Sequence, residues 1–135
     1  MLTLDNIRGY IAGLAVAGDK NVYIGKLNNK KEHSIGVYNR KADGTPVIAL
    51  GGINCTTYDI KPISLLIHWD KSVSKSEKAA NELYEKLLNE SSLVIDGIPI
   101  NCLMLQVPRP VDIGTDESGI YEYVIWLDFY YERNR

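Results

Sequence analysis

Tyr58-Asp-Ile-Lys-Pro-Ile-Ser-Leu-Leu-Ile-His-Trp69 alternates in a way that decides the fold class. Ile63, Leu65, Ile67 and Trp69 fall on one side of an extended chain, and Ser64, Leu66 and His68 on the other. The first side is apolar throughout and needs a cover. Pro62 donates nothing to a ladder, which places it near the strand start or on an edge. Asp70-Lys-Ser-Val breaks the pattern. Ser74 followed by Glu77 then reads as a capping box. Behind it Ala79, Ala80, Leu83, Tyr84, Leu87 and Leu88 form one helical stripe, while Lys75, Lys78, Glu82, Glu85 and Lys86 take the solvent side. A strand feeding an amphipathic helix is the smallest two-layer unit.

Upstream, Thr3 caps a first helix, with Leu2 and Ile7 in the positions of a hydrophobic staple. Leu4, Ile7, Ile11 and Leu14 are its buried stripe. Gly9 and Gly13 weaken it or permit a close approach, and Gly18 is read as its end. Val22 to Leu27 and Ser34 to Tyr38 read as a hairpin about the polar turn Asn28 to Glu32. Arg40 to Thr45 is a turn, Pro46 to Leu50 a strand, and Gly51 to Thr57 a loop. Downstream, Asp96-Gly97 marks a tight hairpin between Leu93-Val-Ile and Ile98-Pro-Ile. Cys102 to Val107 is a strand, and Pro108 to Gly119 a long polar excursion. Ile120 to Tyr131 is a last strand, with Tyr121, Tyr123, Ile125, Leu127, Phe129 and Tyr131 facing the core. The order predicts an α+β fold: one mostly antiparallel (mixed) sheet with two helices on one face, in a single domain spanning 1–135.

Composition narrows the function. The 135 residues carry a net charge of −2, which argues against a protein that grips nucleic acid through its phosphates. The N-terminus lacks a basic region followed by an apolar one, and no apolar run reaches the ~18–20 residues of a membrane span. Cys55 and Cys102 stand far apart and read as free buried thiols in a reducing compartment. Nine tyrosines against one phenylalanine suit half-exposed contact faces.

Candidate chemistry is sparse. His33 lies in a charged turn and reads as a solvated side chain. His68 faces away from the core, and spacing offers neither histidine a partner. Cys55 has no basic neighbour to activate it. Asp112, Asp116 and Glu117 form an acidic cluster that lacks the alternating acids of a calcium loop. Gly51-Gly52 follows a strand but has no phosphate-loop signature after it. Asn29-Lys30-Lys31 and Arg40-Lys41 are basic turns that read as solvated tips; set side by side on one edge, they could still meet an acidic partner. The pattern argues against an enzyme, and no cofactor or metal is expected. The two long excursions, with the Tyr-rich strand, point to an interaction protein. Gly51, Gly52, Asn54 and Thr57 are the candidate contact residues in the first excursion. Asp112, Gly114, Asp116 and Glu117 are those in the second.

Several stretches carry a family resemblance. They are Tyr23-Ile-Gly-Lys-Leu, Ser34-Ile-Gly-Val-Tyr, Pro46-Val-Ile-Ala-Leu-Gly-Gly, Tyr58-Asp-Ile-Lys-Pro-Ile-Ser and Lys78-Ala-Ala through Leu87. Pro108-Arg-Pro-Val-Asp-Ile-Gly-Thr-Asp, Gly119-Ile-Tyr-Glu-Tyr-Val-Ile and Tyr130-Tyr-Glu-Arg133 complete the series. Together they resemble the minor capsid proteins of tailed bacteriophages and prophages of Gram-positive hosts, in particular the tail terminator or tail completion proteins of the head–tail junction. The resemblance implies a structural virion protein, assembled in the host cytoplasm. It implies copies joined in a ring, commonly hexameric, between the tail tube protein and the head connector or adaptor proteins. DNA would pass through without specific binding, and no membrane is involved. The alternative is a small α+β ligand-binding or regulatory module in which the two excursions close on a metabolite.

Overall fold

The computed structural model describes residues 1–25, 31–41 and 57–133. Two helices lie on one face of a mixed sheet, so the fold is α+β. Helix α1 is Leu4–Gly13 and α2 is Val73–Leu88. The strands are β1 Val22–Ile24, β2 Ser34–Asn39, β3 Tyr58–His68, β4 Val94–Ile95, β5 Ile98–Leu105, β6 Val111–Thr115 and β7 Tyr121–Glu132. The sheet runs β1-β2-β3-β7-β5-β4. β7 is its axis. Along one side it pairs antiparallel with all of β3; along the other it pairs first with β6 and then with β5, which lie end to end.

The alternation in β3 and β7 is borne out. Ile63, Leu65, Ile67, Ile125, Leu127 and Phe129 are fully buried, and Ile35 and Val37 of β2 extend the same face. Against it pack Ile7 and Ile11 of α1 and Ala80, Leu83 and Leu87 of α2. Each such aliphatic or aromatic side chain stabilises the fold by ~1.5–3 kcal/mol relative to exposure. The Phe129 ring meets Tyr10 edge-on, with centroids 6.2 Å apart.

The helix starts follow from capping, though not both where the spacing placed them. Thr3 caps α1 as expected, and Asn6 completes a box by accepting from the Thr3 amide at 2.9 Å. Leu2 and Ile7 are both buried at the staple positions. For α2 the cap is Ser72, not Ser74: its hydroxyl accepts from Lys75 N–H. The Asp70 carboxylate takes the Ser72 amide at 2.9 Å, which fixes the start two residues early and leaves Glu77 outside any box. α1 ends at Gly13 rather than Gly18. Ala15 takes the left-handed conformation (φ 60°), and Ala17 turns into the core. A Cβ on Gly9 or Gly13 would meet nothing within 4 Å, so neither glycine serves a close approach.

Four further expectations are corrected. β1 and β2 run parallel and are not a hairpin. The nine-residue connection from Gly25 to His33 contains none of the Asn-Gly or Asp-Gly turn chemistry that closes a tight reversal. Residues 108–119 are not an unstructured excursion, because they hold β6. Val111, Ile113 and Thr115 supply the β-branched alternation that Pro and Gly obscured. Ile98 to Leu105 is one continuous strand, with a bulge between Ile100 and Cys102, and Cys102 is exposed rather than buried because its position on β5 points away from the helices. The Asp96-Gly97 hairpin stands as read, with both residues at positive φ. The expected strand Pro46 to Leu50 and Cys55 lie outside the described residues.

Candidate interaction surface

The face of the sheet opposite the helices is built by the other half of the same alternation. Reading across the registers gives cross-strand rows: Gly36–Leu66–Val124–Val111, then Tyr38–Ser64–Trp126, then Pro62–Asp128–Met104, then Ile60–Tyr130–Cys102. Trp126 is 45% exposed, Met104 47% and Val111 40%. Tyr58 and Tyr130 stack at 6.0 Å. The described α-helices both pack on the other side, so these large apolar groups face outward from the centre of a sheet. Exposed apolar groups set side by side mark an interaction site more often than scattered ones do.

One ion pair is set into this face. Arg40 hydrogen-bonds the Asp128 carboxylate, and Gln106 Nε2 donates to the same carboxylate at 3.2 Å. Arg40 is therefore not a free basic tip. Lys31 precedes β2 and Arg40 follows it, so the two basic tips sit at opposite ends of the strand rather than side by side.

The β6–β7 hairpin borders the face at one end. Asp116 organises its turn by accepting from Ser118 N–H at 2.8 Å and Ile120 N–H at 3.0 Å. Gly119 supplies the positive φ that closes it. The hairpin covers His68, which faces away from the helices as expected yet is only 2% exposed. Its Nδ1 lies 3.1 Å from Glu122 Oε2, and its Nε2 lies 3.6 Å from Asp116 Oδ2. These partners come from β7 and its turn, more than 45 residues away in sequence. His33 also has a partner: its Nε2 lies 2.9 Å from Asp70 Oδ2, and its ring stacks on Trp69 at 4.5 Å.

The contact residues chosen from sequence fall in two places. Asp112, Gly114, Asp116 and Glu117 lie on β6 and its turn, with Asp112 and Glu117 exposed and Ile113 between them 52% exposed. Asp112 accepts from Gly114 N–H at 2.8 Å, and Asp116 serves its own turn, so the acids do not converge. Thr57 is exposed at the other end of β7, where its carbonyl accepts from Arg133 N–H. About ten strand residues separate the two places, roughly 30 Å. Gly51, Gly52 and Asn54 lie outside the described residues. Sequence reasoning missed Met104 and Val111. The period-two alternation in β5 and β6 is the signal that points to them.

Burial and charge shape the tyrosines. Burial, then the Asp112 and Glu77 carboxylates, push the Tyr123 phenol up. Burial and Asp59 do the same to Tyr131, whose hydroxyl donates to Asp59 at 3.2 Å. Two half-open depressions of about 610 Å³ lie on the surface, one lined by Thr57, Pro99 and Arg133 and one by Tyr84, Pro108 and Pro110.

With this architecture established, comparison with known families is decisive. The family model described as bacteriophage tail terminator protein matches residues 10–133. The chain belongs to that family. The terminator fold is also similar to a solved chain from the virion of a native gene transfer agent particle, at 14% identity and a TM-score of 0.53. The match covers 96% of this chain and 90% of that one, and shows the shared fold. No curated protein matches significantly. The tail terminator family is one of structural virion proteins, not a known enzyme family. Among the described residues, no helix is long and apolar enough to cross a membrane.

Proposed function

We propose that this chain closes the tail of a phage or phage-like particle as a ring of identical copies, set between the tail tube and the head connector. The single observation that carries this reading is the family match across residues 10–133. The chain acts as one domain, is assembled in the host cytoplasm and ends in the virion. A ring of like subunits needs two different complementary patches on each copy, because head-to-tail contacts close only when the rotation divides a full turn. The open face carrying Trp126, Met104 and Val111 is one patch. The exposed side of the β6–β7 hairpin, with Asp112, Ile113 and Glu117, is the other, and the residues around Thr57 join the contact to tube or connector. Six copies is the expected number. The mild acidity of the chain suits a lumen through which DNA slides without being held.

The test uses residues on the open face that are close to half exposed, where a polar side chain reaches solvent. Trp126→Glu and Met104→Glu each keep a cooperative melting transition, with a loss of about 1–2 kcal/mol. Both abolish assembly on purified tail-tube ends. Full assembly by both variants removes the open face from the proposal. Removing residues 112 to 118 is a poorer test, because that deletion takes out a paired strand.

A further inference from the structure

Where β2 begins and β3 ends, Glu32, His33 and Asp70 bring one imidazole nitrogen and two carboxylate oxygens within 4.8 Å of one another. Nothing in the proposed assembly uses them. We propose that Glu32, His33 and Asp70 form a binding site for a divalent transition-metal ion of the zinc, cobalt or nickel class, with the remaining coordination positions open.

The donor set separates this cluster from an ordinary patch of acids. Imidazole is a poor ligand for magnesium or calcium and a good one for zinc, cobalt or nickel, while carboxylates serve all of them. The spacing also fits. Donors each ~2.0–2.2 Å from one ion lie about 2.8–3.1 Å apart in octahedral and about 3.3–3.6 Å apart in tetrahedral geometry. His33 Nε2 and Asp70 Oδ2 are already 2.9 Å apart. Glu32 is exposed, so its carboxylate closes the remaining gap by a change of side-chain torsion.

Two of the three ligands are held in place by groups outside the set. The His33 ring lies flat on Trp69, 11° from parallel, which aims Nε2 toward Asp70. The Ser72 amide holds Asp70 Oδ1, leaving Oδ2 to the ion. Orientation of this kind by outer groups is what tunes protein metal sites. On binding, His33 presents the Nε2 lone pair and carries its remaining proton on Nδ1, since only the deprotonated nitrogen ligates.

Trp69 is a built-in reporter. Titrating the full chain with Co²⁺ is expected to quench part of its fluorescence saturably, and Zn²⁺ to raise the melting temperature with the same midpoint order. Mg²⁺ at equal concentration does neither. His33→Gln and Glu32→Gln, both at exposed positions, each weaken Co²⁺ binding at least about tenfold, the least that loss of an orienting group costs at such sites. Linear, unsaturable quenching of the wild type overturns the proposal. So does equal affinity in wild type and His33→Gln, which moves the ion to His68 or a cysteine. Neither result bears on the tail-terminator reading, whose test is assembly on tube ends.

Discussion

At the scale of single residues, the consequential features are pairs that no local spacing reveals. His68 illustrates this. Period two placed it correctly on the face away from the helices, but its burial depends on a hairpin that begins more than 40 residues later. The Arg40–Asp128 pair, 88 residues apart, was hidden for the same reason. Asp70 yields a pH prediction. The His33 hydrogen bond and the Ser72 amide lower its carboxyl pKa on folding. A lowered carboxyl adds stability above the ordinary carboxylate range, and that stability is lost as the pH falls through the folded value. Urea unfolding of wild type and Asp70→Asn across a pH series should therefore show the variant less stable at neutral pH and the two converging below about pH 4. Tyrosines act at the other limb. Tyr10, Tyr123 and Tyr131 are all raised, each chiefly by burial. Their contribution is present below the ordinary tyrosine value of about 10 and is lost as pH rises through the folded values. In an ultraviolet titration these three are expected to ionise above the ordinary tyrosine value. Ionisation of Tyr10, Tyr123 and Tyr131 at the ordinary value contradicts this account of burial.

At the scale of elements, patterns that depend on period were legible and those that depend on tertiary choice were not. β3, β7, the α2 stripe and the Asp96-Gly97 turn each announce themselves within ten or so residues. The α2 start shows the limit. Ser72 and Ser74 are both competent caps, and only Asp70, held by β3 and His33, decides between them. Ser72→Ala should cost about 1 kcal/mol, while Ser74→Ala should stay within about 0.5 kcal/mol. Denaturant unfolding separates them, and a larger loss at Ser74 would restore the capping box. The direction of β1 against β2 was illegible because both directions bury the same alternate residues. β6 was illegible because Pro108, Pro110 and Gly114 outweighed three β-branched residues. Helix α1 offers a paired test. Gly9 sits mid-helix with open space where a Cβ would go, so Gly9→Ala should stabilise by roughly 0.4–1 kcal/mol. Ala15 sits at positive φ, where an L side chain costs about 1–2 kcal/mol, partly offset by the greater entropy of glycine in the unfolded chain. Ala15→Gly should then stabilise as well, and the two effects should add.

At the scale of the whole molecule, one alternation along β7 does two jobs. Its inner residues build the core with Phe129 at the centre, and Phe129→Ala should cost about 3–5 kcal/mol. Its outer residues leave Trp126 in solvent on the face that no described α-helix covers. The core is the part that sequence determines almost alone. The contact surface was only half legible, because its apolar members come from three strands and are joined only by register. The chain belongs to the tail terminator family, and the central proposal is that copies of it meet through that surface at the end of a tube. The most direct measurement is electron microscopy of the purified protein mixed with polymerised tail tubes of its own particle, with light scattering of the free protein alongside. The account predicts ring-shaped density at tube ends and none along the sides, lost with Trp126→Glu. Bare tube ends at saturating protein, or decoration along the whole tube, would contradict it.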